Sequence, residues 1–144
     1  MAYKGKFRPQ NYKKYKGDYT KIIYRSGWEL KFMKYLDRQP KVLLWSSEEV
    51  IIPYKSPIDN KWHRYYPDFW VKTSKNETLI EIKPKKQTKP PKQLKETLKH
   101  RRRFLKEVRV WGINEAKWKA AAEFCEQKGW KWQIMTEDTL TITK

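Results

Sequence analysis

The 144 residues suffice for one ordinary domain with a substantial core, and 38% apolar with 15% aromatic residues exclude a disordered chain. Thirty-four lysines and arginines against sixteen acids leave a formal charge of +18, which demands a polyanionic partner and favours nucleic acid, because neutralising backbone phosphates releases counterions. A membrane span, a secretory signal and an internal disulfide all lack support: no apolar run nears ~20 residues, the opening MAYKGKFRPQ has no apolar stretch, and Cys125 is the single cysteine.

Residues 1–21 carry six Lys or Arg before the first acid, Asp18, together with four tyrosines. They read as a basic N-terminal arm; a loose tail is the competing reading, and the tyrosines argue for packing. SGWE at 26–29 is a capping box that starts a helix ending before Pro40. At ~100° per residue, Trp28, Phe32, Leu36 and Met33 share one arc, and Glu29 falls inside it. A carboxylate on an apolar arc needs a partner, unless its work is only to cap the helix.

Four strand-like segments follow: VLLW (42–45), EVIIPY (49–54), RYYPDFWVK (64–72) and TLIEIK (78–83). The last two should pair as a hairpin across TSKNE. After Lys83 three prolines forbid regular structure until about Gln93, where a helix is predicted to run to about Val108. Asn114 is predicted to cap a separate helix stopped by Gly129, and WKWQIM (130–135) reads as a closing strand. Neither an internal repeat nor a zinc-type Cys/His spacing is present.

The hairpin carries the chemistry. A turn centred on Ser74–Asn76 sets Asp68 opposite Glu81 or Lys83, and period-two alternation then puts all three on one face. Two carboxylates ~5 Å apart repel unless a cation lies between them. A hard divalent ion is the natural filler, with the lysine orienting water or neutralising charge on a phosphate. The plainer alternative is a Lys83–Asp68 salt bridge across the strands, with Glu81 in water.

From Lys83 to Arg103 ten Lys or Arg face one acid. That run, with Lys85, Lys86, Lys89, Lys92, Arg101, Arg102 and Arg103, reads as a phosphate-tracking path along DNA without base readout. His63 and His100 fit surface positions better than general-base roles. Ser47, Ser56 and Ser74 lack a nucleophile-elbow context. Asn114 and Lys117 on the later helix are candidates for a polar contribution to the site, against the simpler readings of an N-cap and a solvated side chain.

Pro67-Asp68 followed by Glu81-Ile82-Lys83, with a helix glutamate upstream, resembles the PD-(D/E)xK nuclease signature. YRSGWEL, YYPDFW, IEIKPKKQTKPP and WGINEAKWKAA leading to MTED make the chain similar, over nearly its whole length, to the head completion nucleases of T-even-like tailed phages. They also resemble the catalytic N-terminal domain of the TnsA transposase subunit.

The resemblance implies an α/β (α+β) fold with a restriction-endonuclease-like core: a central mixed β-sheet flanked by helices, as one domain over 1–144 with the arm at 1–21 and the core at 22–144. It implies metal binding by Asp68, Glu81 and Glu29 with the Ile82 carbonyl, and catalysis by Glu29, Asp68, Glu81 and Lys83. Mg2+ would be the cofactor, with Mn2+ as substitute and no small-molecule cofactor. DNA would be cut without sequence specificity by metal-activated water.

The biological setting it implies is phage head completion on packaged DNA ends, in the cytoplasm of an infected bacterium or within the virion head, with head or neck proteins as further partners and no membrane. The alternative is a basic structural DNA-binding protein of the head without turnover.

Overall fold

A computed structural model describes residues 4–92 and 96–142, the side chains of 140–142 excepted. Strand β1 (Gly5–Lys6) pairs antiparallel with β2 (Ile23–Tyr24), and α1 (Gly27–Arg38) follows. The Ser26 hydroxyl accepts from the Glu29 amide at 3.1 Å, and the Glu29 carboxylate reaches back to the Arg25 amide at 3.3 Å. Phe32, Met33 and Leu36 are buried as their spacing requires. Trp28, expected beside them, stays 37% exposed, because the buried set begins only at Phe32, one turn further on.

The sheet is built from β3 (Val42–Ser47), β6 (Phe69–Thr73), β7 (Glu77–Ile82) and β8 (Lys131–Met135), in spatial order β3-β6-β7-β8. The first three are antiparallel and β8 runs parallel to β7, so the sheet is mixed, as expected. Between β3 and β6 the chain makes a separate antiparallel pair, β4 (Ile52–Lys55) with β5 (Trp62–Tyr65). The segment expected as one strand over 64–72 is therefore two. Buried Pro67 has no N–H to donate, and the ladder breaks there.

Returning to a parallel β8 requires a crossover, supplied by α2 (Leu98–Lys128), 31 residues and ~46 Å long. Two expectations fail here. The helix does not end near Val108, and Asn114 is a buried interior residue rather than a cap. No proline interrupts 98–128, and Gly112 costs only ~1 kcal/mol in a helix interior, so packing of Trp118, Ala121 and Cys125 carries the helix through. Its expected start near Gln93 lies outside the described residues. Gly129 does stop it, with φ +72°, and an unexpected short helix α3 (Glu137–Ile142) follows β8. Among the described residues no helix is long and apolar enough to cross a membrane.

Side-chain alternation divides the core between the two faces of the sheet. Phe69, Val71, Ile80, Ile82 and Met135 pack with Phe32, Met33 and Leu36 of α1. Trp70 and Leu79 pack with Trp118, Ala121 and Cys125 of α2, and with Ile52, Tyr54 and Tyr65 of the β4–β5 pair. Burial pushes the Cys125 thiol up to about 11, consistent with an inert core cysteine.

The N-terminal segment is tied to both α1 and β3. Phe7 and Tyr15 are buried in the core, while Tyr12 and Tyr19 are exposed. The Tyr15 hydroxyl donates to the Ser47 carbonyl at 3.2 Å and accepts from the Ser47 amide at 3.1 Å, along the otherwise open edge of β3. Lys14 Nζ donates to the carbonyls of Leu36, Asp37 and Gln39 at 2.8, 3.0 and 2.9 Å, placing a cation on the negative end of α1.

Buried Asp37 accepts from the amides of Gln10 and Asn11 at 2.9 and 3.0 Å. Asp37→Ala strands both donors and is expected to cost about 2–4 kcal/mol. The variant should unfold at lower denaturant concentration and be cleaved sooner by protease within 4–21; unchanged values would remove this latch.

Candidate active site

The site begins with register. Phe69 pairs with Ile80 and Trp70 with Leu79, the alignment that sets Asp68 opposite Glu81, one step beyond the last paired residues. Asp68 precedes β6, and its Oδ2 accepts from the Ile82 amide at 2.7 Å, extending the ladder where the strand has not yet started. Its carbonyl accepts from the Glu48 amide at 3.1 Å. Glu48 itself adopts φ +54°, an uncommon backbone for glutamate, and its carboxylate is paired with Arg25.

Glu81 alternates with Leu79 and so faces the α2 side. It is 6% exposed, and its Oε1 accepts from the Tyr65 hydroxyl at 2.7 Å. Lys83 Nζ lies 3.7 Å from Glu81 Oε2. The plain alternative of a Lys83–Asp68 bridge with Glu81 in water therefore does not hold: the ion pair is Lys83–Glu81, and the glutamate is buried.

Electrostatics mark these acids as out of balance. Burial, then the charge of Glu81, pushes Asp68 up to about 8, while the Ile82 amide and Lys83 pull the other way. Glu81 is also raised by burial, against the Tyr65 hydrogen bond and the Lys83 charge. A protein gains nothing from holding a half-buried carboxylate against a buried one, and a divalent cation between them would offset both the repulsion and the loss of hydration. Carboxylate oxygens and a nearby carbonyl are the donors that a hard cation such as Mg2+ takes, so the residues fit that group.

Glu29 stands differently. α1 packs on the face of the sheet opposite the one that Glu81 faces, and among the described residues no three acidic, His or Cys side chains gather closely enough to hold a metal in common. Glu29 nonetheless feels the site: burial raises its pKa, the Arg25 amide lowers it, and the charges of Glu48 and Glu81 raise it again.

Lys117, weighed as a solvated side chain, is half-buried on α2 instead. Its Nζ sits 5.6 Å from the centre of the Tyr65 ring and 5.8 Å from that of Tyr54, a cation–π position. Burial lowers its pKa, Glu81 raises it and Lys83 lowers it, so Glu81 has lysines from both the strand and the helix in its field. Sequence reasoning also missed Tyr65 and the Arg25–Glu48 pair. Alternation in WHRY does place Tyr65 inward, but nothing local shows that it meets Glu81.

Lys85, Lys86, Lys89 and Lys92, and Arg101, Arg102 and Arg103, are all exposed. The structure divides them. Lys85 lies in a 3-10 turn (Lys85–Thr88) with its amide donating to Glu137 at 2.6 Å and its ammonium 3.1 Å from Asp138, while Arg101, in the first turn of α2, is 3.4 Å from Glu96 just before that helix. Along α2, His100, Phe104, Glu107 and Trp111 are half-buried at helical spacing, and exposed Lys99, Arg102, Lys106 and Arg109 form a cationic stripe on nearly the opposite side of the helix. Lys106 and Arg109 lie past Arg103, where the basic run read from the sequence stops, and the unbroken helix joins them to it. His63 is exposed and 2.7 Å from Asp59, away from the acids.

Residues 39–137 match the family described as TnsA-like endonuclease N terminal, a span that includes Asp68, Glu81, Lys83 and Lys117 but not Glu29. The chain is also 46% identical over 142 residues, 97% of its own length and 95% of the relative's, to a protein of Enterobacteria phage T4 named head completion nuclease. Endonucleases of this kind work with divalent metal ions. A half-buried aspartate opposite a buried glutamate, a lysine 3.7 Å from that glutamate and a match over two thirds of the sequence have a common meaning: the chain belongs to the TnsA-like endonuclease family.

Proposed function

We propose that this nuclease hydrolyses DNA phosphodiester bonds with Mg2+, or Mn2+ in its place, held by Asp68, Glu81 and the Ile82 carbonyl, with Glu29 contributing from α1 through its charge on the site. The observation that carries the reading is the Asp68–Glu81 pair, both acids raised by burial with a cationic Lys83 beside them. When bound, the cation supplies Lewis-acid polarisation of the phosphate and a more acidic water.

The protein's own groups do the rest. The Ile82 amide and the Tyr65 hydroxyl each occupy one oxygen of an acid and fix its direction. Lys83 offsets negative charge that builds on the phosphate as the bond to the attacking oxygen forms and the bond to the leaving oxygen breaks.

Exposed Lys86, Lys89 and Lys92, with the α2 stripe around Arg102 and Arg103, hold the backbone of DNA without reading its bases. The similarity to a head completion nuclease supports a role on packaged DNA ends before the tail joins. On this reading the protein works in the infected bacterial cytoplasm or the virion head, with head or neck proteins as partners and the whole chain acting as one nuclease unit.

Supercoiled plasmid incubated with the protein and Mg2+ should become nicked and then linear, and chelation should stop the reaction. Tight binding with no cleavage in Mg2+ or Mn2+ would favour a structural DNA-binding protein instead.

A further inference from the structure

The β4–β5 pair has one closed face and one open face. Ile52, Tyr54 and Tyr65 turn inward with the α2 residues, while the register places Pro53 opposite Arg64 and Lys55 opposite Trp62 on the outward side. All four outward residues are exposed, and Trp62, at 70%, is the most exposed large apolar side chain among the described residues. Among the described residues nothing covers this indole, which is held in water beside two cations.

The charge on that face has one sign. Lys55 and Arg64 flank the ring, and exposed Lys61 precedes it. The neighbouring acid, Asp59, is occupied by His63 at 2.7 Å and by the Lys61 amide at 3.0 Å. Cations interleaved with an aromatic ring suit single-stranded nucleic acid, where phosphates meet the cations and an unstacked base lies on the ring. Inside a duplex the bases are already stacked on one another and only the terminal pair leaves a face free, whereas every base of an unpaired strand can lie on the indole.

The open face also leads to the acids. β5 ends at Tyr65, whose hydroxyl binds Glu81; Tyr66, 41% exposed, and Pro67 follow, and then Asp68. The six steps from Trp62 to Asp68 span at most ~20 Å.

We propose that the outward face of the β4–β5 pair, with Trp62 between Lys55 and Arg64, is a stacking subsite for an unpaired DNA strand leading into the Asp68–Glu81 site. This rests on the nuclease reading and deepens it: the favoured substrate is DNA with a single-stranded tail rather than a blunt duplex.

The test measures binding of full-length protein, in chelating buffer, to a fluorescent blunt duplex and to the same duplex with a single-stranded tail long enough to cover ~20 Å. Wild type should prefer the tailed DNA. Trp62→Ala should lose roughly 5- to 150-fold of that preference, the range for one lost base–ring stack, and Trp62→Phe should keep most of it.

A wild type without preference for the tail overturns the subsite, as does a Trp62→Ala variant that keeps the whole preference. Plasmid nicking by the wild type with Mg2+ or Mn2+ is measured in parallel. If nicking occurs while the preference test fails, the subsite alone falls; if the wild type never nicks, the nuclease reading falls and takes the subsite with it.

Discussion

Asp68→Ala is expected to lower plasmid cleavage on the order of 10³-fold or more while leaving DNA binding close to wild type. The expected size follows from the role proposed for that carboxylate: it would supply a negative oxygen for a divalent cation, and losing several kcal/mol of transition-state stabilisation is that large in rate. Binding survives because the cations on the exposed turn and on α2 lie outside the acidic pair. Lys83→Ala should cost about 10²–10³-fold, comparable to removing one preorganised charge-stabilising group.

Lys83→Arg should recover only part of the loss, since a planar guanidinium does not reproduce a compact ammonium 3.7 Å from Glu81. The double variant Asp68→Ala/Lys83→Ala should be little worse than Asp68→Ala alone, because groups that act as one unit are not additive. Gel-based single-turnover rates with matched binding titrations check all three. An Asp68→Ala protein that still cuts at the wild-type rate would move the chemistry elsewhere.

The second large effect is on stability. Asp68 holds its proton in the folded state up to about pH 8, whereas an unfolded aspartate loses it near pH ~4. Between those limits the folded chain binds the extra proton, so stability is full at the acidic end and falls as pH rises towards 8. At ~1.4 kcal/mol per pH unit the ceiling is ~6 kcal/mol; partial exposure and the neighbouring Glu81 reduce the expected fall to about 2–3 kcal/mol.

In chelating buffer the melting temperature should therefore drop about 6–10 °C between pH 5 and pH 8 from this group. Asp68→Asn carries no charge to bury and should flatten that drop, melting above wild type at pH 8. Added Mg2+ should raise the melting temperature of wild type at pH 8 and do little for the asparagine variant. A wild-type melting temperature that is flat in pH without metal would mean that the two acids are not under strain.

Some of this was legible from residues alone because it depends on local chemistry. The capping serine at 26, the apolar spacing of Phe32, Met33 and Leu36, the helix stop at Gly129 and the β6–β7 hairpin all follow from interactions within a few residues or across one short turn. Where local signals compete with packing, they misled. Asn114 looks like a cap, but the apolar positions of Trp118, Ala121 and Cys125 carry one helix through it; RYYPDFWVK looks like one strand, but its two halves pair with different partners.

The candidate site divides in the same way. Composition and alternation determined that Asp68, Glu81 and Lys83 meet at one place in a strongly basic chain. Only the tertiary structure decided that Lys83 pairs with Glu81, that Tyr65 and Lys117 surround that glutamate, and that Glu29 stands on a helix packed against the opposite face. Residues two apart on a strand are held together by the backbone itself. Residues fifteen to fifty positions apart meet only once a core has closed, and which of them meet depends on how every intervening element packs.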